Sequence, residues 1–362
     1  MQKIRILHTA DMHIGSAFSG LSYDKSQLRY KEAIHTSIKI IEEARNYDLL
    51  LLAGDIFDIT DIPTSVIDTF LLAVENLGEI PVFYSCGNHD YYNSPVIKYC
   101  LEHAPSNLNI FPPDKISCIT LEDKNLKVYG ASFSCGHYDA SLFDTMDKCD
   151  DKYINILCMH SDISNGLYNY LDVTKLSDTG LHYAALGHIH SFSGIKKSGK
   201  CIYAYPGIPE GRGFDECGPK GFIAGTVSKD EYSLNFYPVS KRQYIDEKLD
   251  ISDFKNEYEL IDVLNELSLG INNICRFTFV GENNLSSFDG FNFIINQLSA
   301  FHITYIDKTK SSAVPSQYIS HSGLKGLCAR EADRLISAAK DDAEKEKYKK
   351  AFSLIIDLFE KK

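Results

Sequence analysis

The sequence predicts a mixed α/β (α+β) chain in three parts: residues 1–240, a small α/β unit over 241–310 and a helical segment over 311–362. Three observations point to it. Apolar runs of strand length alternate with stretches of helical period in the N-terminal part. Polar, ligand-type residues follow directly after those runs, at the carboxyl ends where open α/β sheets bind ligands. At 362 residues the chain is also too long for one compact core.

Taken in order, Ile4 to His8 is a short, mostly apolar strand that delivers Asp11 and His13 at its end. Gly15 to Tyr23 is a loop of Gly, Ser and aromatic residues, long enough to lie over a site. A helix follows over about 26–46, with Ile34, Ile38 and Ile41 on one stripe. The run Asp48 to Ala53 is apolar on both faces, as suits a central strand covered on either side, and it ends in Gly54-Asp55-Ile56-Phe57-Asp58. A second helix runs from Pro63, placed at a first helical position, to Gly78. The third strand, Ile80 to Cys86, leads into Gly87-Asn88-His89-Asp90. Taken alone, the residue types of that tetrapeptide favour a plain turn needing φ > 0, and only the company of the other strand-end motifs overturns that reading.

From Asn107 the strands shorten: Leu126 to Tyr129, Tyr153 to Met159 ending in His160, then Leu176 to Tyr183 and Ala184 to Leu186 ending in Gly187-His188-Ile189-His190. Cys201 to Tyr205 turns into the Gly/Pro-rich stretch Pro206 to Gly213. Two further strands, Phe222 to Val227 and Tyr232 to Tyr237, complete this part. Beyond it the order is strand (244–249), helix (about 253–267), strand (274–280), helix (about 288–298) and strand (303–307), with no ligand cluster. The tail carries Leu335, Ile336, Phe352, Ile355, Ile356 and Phe359 among dense mixed charges. This is one or two amphipathic helices with too few apolar groups for a free-standing core, so a partner surface is expected.

Composition is that of a folded protein, 44% hydrophobic and 24% charged. No apolar run approaches a membrane span, and the N-terminus lacks the pattern of a secretory signal, so a cytoplasmic protein is expected. The ten cysteines are scattered without a Cys-x-x-Cys pair and read as reduced thiols. A net charge of −12 provides no general attraction for a phosphate backbone. A nucleic-acid substrate would have to be gripped by metals, local basic patches or a partner.

The strand ends collect Asp11, His13, Asp55, Asn88, His160, His188 and His190. Asp11 or Asp55 alone suits a turn, and His160 alone suits an ordinary buried histidine. In His188-Ile189-His190, alternation puts both rings on one side of an extended segment. As a set, these imidazoles, carboxylates and an amide suit divalent Mn, Zn or Fe better than calcium. Seven ligands exceed one ion with an open position and suit two ions about 3.5–4 Å apart sharing a carboxylate, a pair that acidifies water and clamps a phosphoryl centre.

Asp-x-His, Gly-Asp-x-x-Asp, Gly-Asn-His-Asp, a lone His and Gly-His-x-His, in this order, resemble the calcineurin-type metallophosphoesterase superfamily over residues 1 to about 240. The resemblance implies a metallophosphoesterase β-sandwich flanked by helices. It implies one metal on Asp11, His13, Asp55 and His190 and another on Asp55, Asn88, His160 and His188. His89 then matches the catalytic histidine, with Asp90 as its orienting partner. Asp11 to Ser16, Leu52 to Asp58, Tyr205 to Arg212 and Gly218 to Gly221 resemble, more narrowly, bacterial SbcD-type DNA-repair nucleases, especially their YhaO-like branch. That implies manganese-dependent hydrolysis of DNA phosphodiester bonds, as an exonuclease and with endonuclease activity open. It also implies an α/β capping domain and C-terminal helices that dock on an SMC-like coiled-coil ATPase of the SbcC type. Asp58 departs from relatives that carry a histidine there. Arg212 is a candidate for steadying a substrate phosphate, and equally a surface arginine on a Gly/Pro turn. Oligomeric state, a homodimer included, stays open. A small-molecule or nucleotide phosphoesterase fits the same residues. A non-catalytic subunit of an ATPase complex fits less well, because a decayed site would have lost ligands.

Overall fold

In the computed structural model, the described residues are 2–58, 62–164, 168–268, 270–283, 285, 291–311 and 314–360. The chain divides into two compact units, 1–243 and 244–362.

The first unit contains, in chain order, β1 (Ile4–Thr9), α1 (Tyr23–Glu43), β2 (Leu49–Leu52), α2 (Thr64–Glu75), β3 (Val82–Tyr84), α3 (Pro95–Glu102), β4 (Leu108–Ile110), β5 (Ser117–Leu121), β6 (Leu126–Ala131), β7 (Ile154–His160), β8 (Tyr183–Gly187), β9 (Lys196–Ser198), β10 (Cys201–Ala204), β11 (Gly221–Val227) and β12 (Tyr232–Pro238). They form two six-stranded sheets, ordered β12-β11-β1-β2-β3-β4 and β5-β6-β7-β8-β10-β9. In each, four neighbouring strands run parallel (β1 to β4; β6, β7, β8, β10), and the strands added outside them pair antiparallel.

Strand alternation builds the layers. Ile4, Ile6, Leu49, Leu51 and Phe83 of the first sheet share a core with Val128, Ile156, Tyr183, Ala185 and Ile202 of the second, so the sheets pack face to face as a sandwich. The alternate residues Leu7, Leu50, Leu52 and Tyr84 point outward onto Ile41, Phe70, Val74 and Ile97 of the three helices. On the far face of the second sheet, Tyr129, Leu157, Met159 and Leu186 are covered by Leu142, Phe143 and Leu176 from short 3-10 turns and by Leu171 from a loop. The continuous apolar run of β2 is thus explained by burial on both faces.

Local differences from the expected elements have plain causes. Pro63 is the cap residue of α2, with an extended ψ of 132°, and not its first helical residue. Val173–Asp178 forms a 3-10 turn, so the strand there is only Tyr183–Gly187. Helix α3 is an addition to the expected elements, although Ser94 accepts from the Ile97 amide and Pro95 opens the first turn, the ordinary start signal.

The second unit has a parallel sheet of β13 (Tyr244–Asp250), β14 (Ile274–Val280) and β16 (His302–Asp307), covered by α4 (Glu257–Leu267) and α5 (Phe291–Gln297). The expected start of α5 near Phe288 lies outside the described residues. Short β15 (Glu282–Asn283) and β17 (Lys310–Ser311) pair in parallel. Helices α6 (Leu324–Ser337) and α7 (Asp342–Glu360) bury Ala329, Ala332, Phe352 and Ile356 against each other and Tyr318. Among the described residues no helix is long and apolar enough to cross a membrane.

Candidate metal centre

The seven residues singled out at the strand ends lie together, where the parallel strands of both sheets terminate. His160 connects them: its Nε2 is 3.4 Å from Asp55 Oδ2 and 3.2 Å from Asn88 Oδ1, and its ring lies 5.1 Å from that of His188. His13 Nε2 is 3.9 Å from Asp55 Oδ2 and 3.3 Å from His190 Nε2, while His190 Nε2 is 3.9 Å from Asp11 Oδ1. Asp11, His13 and His190 form one group able to hold an ion, and Asp11, Asp55 and His160 another.

The backbone is bent to make this possible. Asp11, His13, Asp55 and His188 have φ of 51°, 44°, 51° and 108°, in the region where non-glycine residues are uncommon, and such strain concentrates at functional sites. Amides hold the carboxylates: His188 N donates to both oxygens of Asp11, and His89 N donates to Asp55 Oδ1. Gly54 takes φ +89°, and a Cβ there would meet the His160 ring at 2.4 Å. The plain-turn reading of Gly87-Asn88-His89-Asp90 called for φ > 0, but Gly87 is not among the positive-φ glycines. What it provides is space, since a Cβ would lie 2.1 Å from Asp55 Oδ1.

Electrostatically the cluster favours cations. Burial, and then the Asp55 charge, pushes the Asp11 carboxyl well above its ordinary range. Burial pushes His13 down to about 4, His160 to about 3 and His188 to about 4, so their rings are neutral at physiological pH and offer lone pairs. His160 Nδ1 lies 3.0 Å from Ala53 O, which places its proton there and leaves Nε2 as the donor atom toward the cluster. A mixed N/O set of buried carboxylates and neutral imidazoles fits borderline divalent ions.

His89 stands at the edge, its side chain 35% exposed. Its Nδ1 is 2.9 Å from Asp58 Oδ1, and this carboxylate is the main cause of its raised pKa. Asp58 also lies 3.4 Å from His13 Nδ1. Burial opposes its charge, yet the two imidazoles hold its pKa well below the ordinary range. The orienting partner of His89 is therefore Asp58. Asp90, expected in that position, is occupied elsewhere: it accepts from the backbone amides of Gly87, Asp55, Ile56 and Phe57 and from the Tyr84 hydroxyl. Its role is to pin the Asp55 turn to the Gly87 turn.

Arg212 lies at the site. Its guanidinium is 3.0 Å from Glu216 Oε1, and that oxygen is 2.6 Å from His190 Nδ1. Glu216 and Lys220, whose Nζ donates to His190 O at 3.2 Å, are not among the site residues expected from the sequence. The loop bearing them is anchored by Glu210, which accepts from the buried Arg29 at 2.8 Å, from Thr36 Oγ1 at 2.7 Å and from Lys241 N at 2.7 Å. Arg29 and Thr36 belong to α1, outside the isoleucine stripe that identifies that helix.

Comparison with known proteins agrees with this geometry. The uncharacterized metallophosphoesterase YhaO of Bacillus subtilis is 25% identical over 277 residues, covering 73% of this chain and 67% of that protein. The SbcD component of the nuclease SbcCD, from the same organism, is 22% identical, covering 59% of this chain and 64% of that one. The DNA double-strand break repair protein Mre11 of Methanosarcina acetivorans is 24% identical, covering 73% of this chain but only 44% of its own length. The calcineurin-like phosphoesterase family matches residues 4–192, more than half of the chain and all but the distal loop of the cluster. With its metal-type side chains gathered at the strand ends, the chain belongs to the calcineurin-like phosphoesterase family.

Proposed function

We propose that the chain is a Mn²⁺-dependent DNA phosphodiesterase, an exonuclease of DNA repair, with Asp11, His13, Asp55 and His190 holding one ion and Asp55, Asn88, His160 and His188 the other. The observation that carries the hydrolytic part is the gathering of carboxylates and imidazoles into adjoining groups, Asp11 with His13 and His190 and Asp11 with Asp55 and His160, with the partly exposed His89 beside them. The DNA substrate is supported by the names of two relatives, a nuclease component and a break-repair protein. Two divalent ions, when bound by these residues, would supply Lewis acidity and an acidified water.

The chain's own groups do the rest. Asp58 favours the protonated form of His89, which suits donation of a proton to the departing oxygen. Arg212, its side chain 24% exposed beside His190, brings a guanidinium to the edge of the site that suits a phosphate oxygen. Glu216 and Lys220 hold the His190 ring and carbonyl in place. An SbcC-type ATPase partner is supported by Leu324, Leu327, Leu354 and Leu358 of α6 and α7, which are 58–82% exposed. Removing these helices should abolish partner binding and leave hydrolysis of an aryl phosphodiester unchanged.

The test is degradation of linear duplex DNA by the purified chain with Mn²⁺, compared with end-blocked DNA. His89→Ala should lower the rate by about 10²–10⁴-fold with an unchanged melting curve. Full activity in that variant would refute the role given to His89, and faster turnover of free nucleotides than of DNA would refute the substrate.

A further inference from the structure

A cavity of about 670 Å³ lies between α1 and the β11–β12 pair and is lined by none of the residues of the candidate metal centre. Its size is that of a small-ligand site. Lys31, His35 and Lys39 recur every four residues on α1 and so share one stripe of the helix, and Lys241 joins them from the segment after β12. None of the three ammonium groups has a partner among the described residues. Of the two lining carboxylates, Glu32 is engaged by Arg29 at 3.0 Å and by Arg242 at 2.8 Å, so only Glu43 is left to oppose them. The cavity is therefore locally positive in a chain whose net charge is −12. Phe222 stacks on Tyr237, with centroids 5.5 Å apart and planes at 19°, and Tyr237 remains 41% exposed. A flat aromatic face thus borders a group of cations.

We propose that this cavity binds a small organic anion that joins a flat ring system to a phosphate, the chemistry of a mononucleotide. The ring would lie against Tyr237 and the phosphate would meet the lysines. A polynucleotide is the poorer occupant, because it needs an extended basic track with repeated stacking positions, and this cavity offers a single exposed aromatic face, that of Tyr237. The site is separate from the hydrolytic centre and does not depend on how that centre is assigned.

The test uses the full chain in excess chelator, so that the metal centre contributes no phosphate affinity. Deoxyadenosine monophosphate, deoxyadenosine and inorganic phosphate are titrated separately by calorimetry. The nucleotide is expected to saturate one site and to bind more tightly than either fragment. Lys31→Ala with Lys39→Ala should weaken it about tenfold or more, and Tyr237→Ala should weaken it while sparing inorganic phosphate. All three positions are exposed, so an unchanged melting curve and unchanged hydrolysis of an aryl phosphodiester establish that the variants are folded. The proposal is overturned if the wild type shows no saturation in the millimolar range, if the double lysine variant keeps its affinity, if inorganic phosphate binds as tightly as the nucleotide, or if an acidic peptide binds and the nucleotide does not.

Discussion

Replacing Glu216 by glutamine keeps the shape of the side chain and removes the charge that organises one edge of the metal centre. Its Oε1 lies 2.6 Å from His190 Nδ1 and 3.0 Å from the Arg212 guanidinium, and its Oε2 accepts from the Arg212 amide at 2.7 Å. Burial opposes this charge, but His190 and Arg212 outweigh it and hold the carboxyl down at about 2, so the group is an anion throughout the working range. The carboxylate places the imidazole proton on Nδ1, leaving Nε2 as a donor atom toward an ion. Loss of such an outer partner typically lowers metal affinity 10–100-fold, or about 1.4–2.7 kcal/mol. Calorimetric titration of Mn²⁺ into metal-free protein would measure the loss directly. Aryl phosphodiester hydrolysis should then recover as Mn²⁺ is raised, and the melting of the metal-free protein should change little. Manganese affinity within about twofold of wild type would refute the orienting role of Glu216 and weaken the place of His190 in the first ion's shell.

Three other outcomes follow from the same geometry. Gly87→Ala puts a Cβ 2.1 Å from Asp55 Oδ1, so the Asp55 turn must shift; metal affinity should fall sharply, and unaltered binding would show that this turn yields freely. Arg29→Met strands Glu210 in the interior without its cation, a loss of about 3–5 kcal/mol measurable by urea denaturation, and a change below about 1 kcal/mol would refute the anchoring role of this pair. His8, buried between the sheets with Nδ1 2.8 Å from the Tyr183 hydroxyl, is pushed down to about 3 by burial. The unfolded chain therefore takes up a proton near pH 6.5 that the folded one refuses, and stability falls as pH drops through the window between 6.5 and 3. From pH 8 to pH 5 the wild type should lose about 2 kcal/mol more than His8→Asn, and equal losses would exclude His8 as a cause.

The strands, and the polar residues that end them, were legible because both depend on short-range pattern. β2 reads as buried on both faces from its leucines alone, and the Gly-Asp and Gly-His turns announce ligand-type groups at its end and at the end of β8. Asp58 was visible as a departure, but its contact with the His89 ring was not, because Asp90 is the nearer carboxylate in the chain. Glu216 carried no signal at all. It sits in an irregular loop with no period or spacing, and it reaches His190 only because Glu210, a few residues earlier, is tied to Arg29 and Thr36 on a helix far away in sequence.

By itself, then, the sequence determined the mixed α/β layers, the cluster of ligand-type residues and the turns that offer them, since apolar period and turn chemistry act over a few residues. Tertiary structure alone decided which carboxylate faces which imidazole. Those pairings close over chain separations such as the 34 residues between His89 and Asp55, and they depend on side-chain direction and on the burial that sets each charge. The same holds for Lys31, Lys39 and Lys241, which share a cavity with Tyr237 only because α1 lies beside the β11–β12 pair.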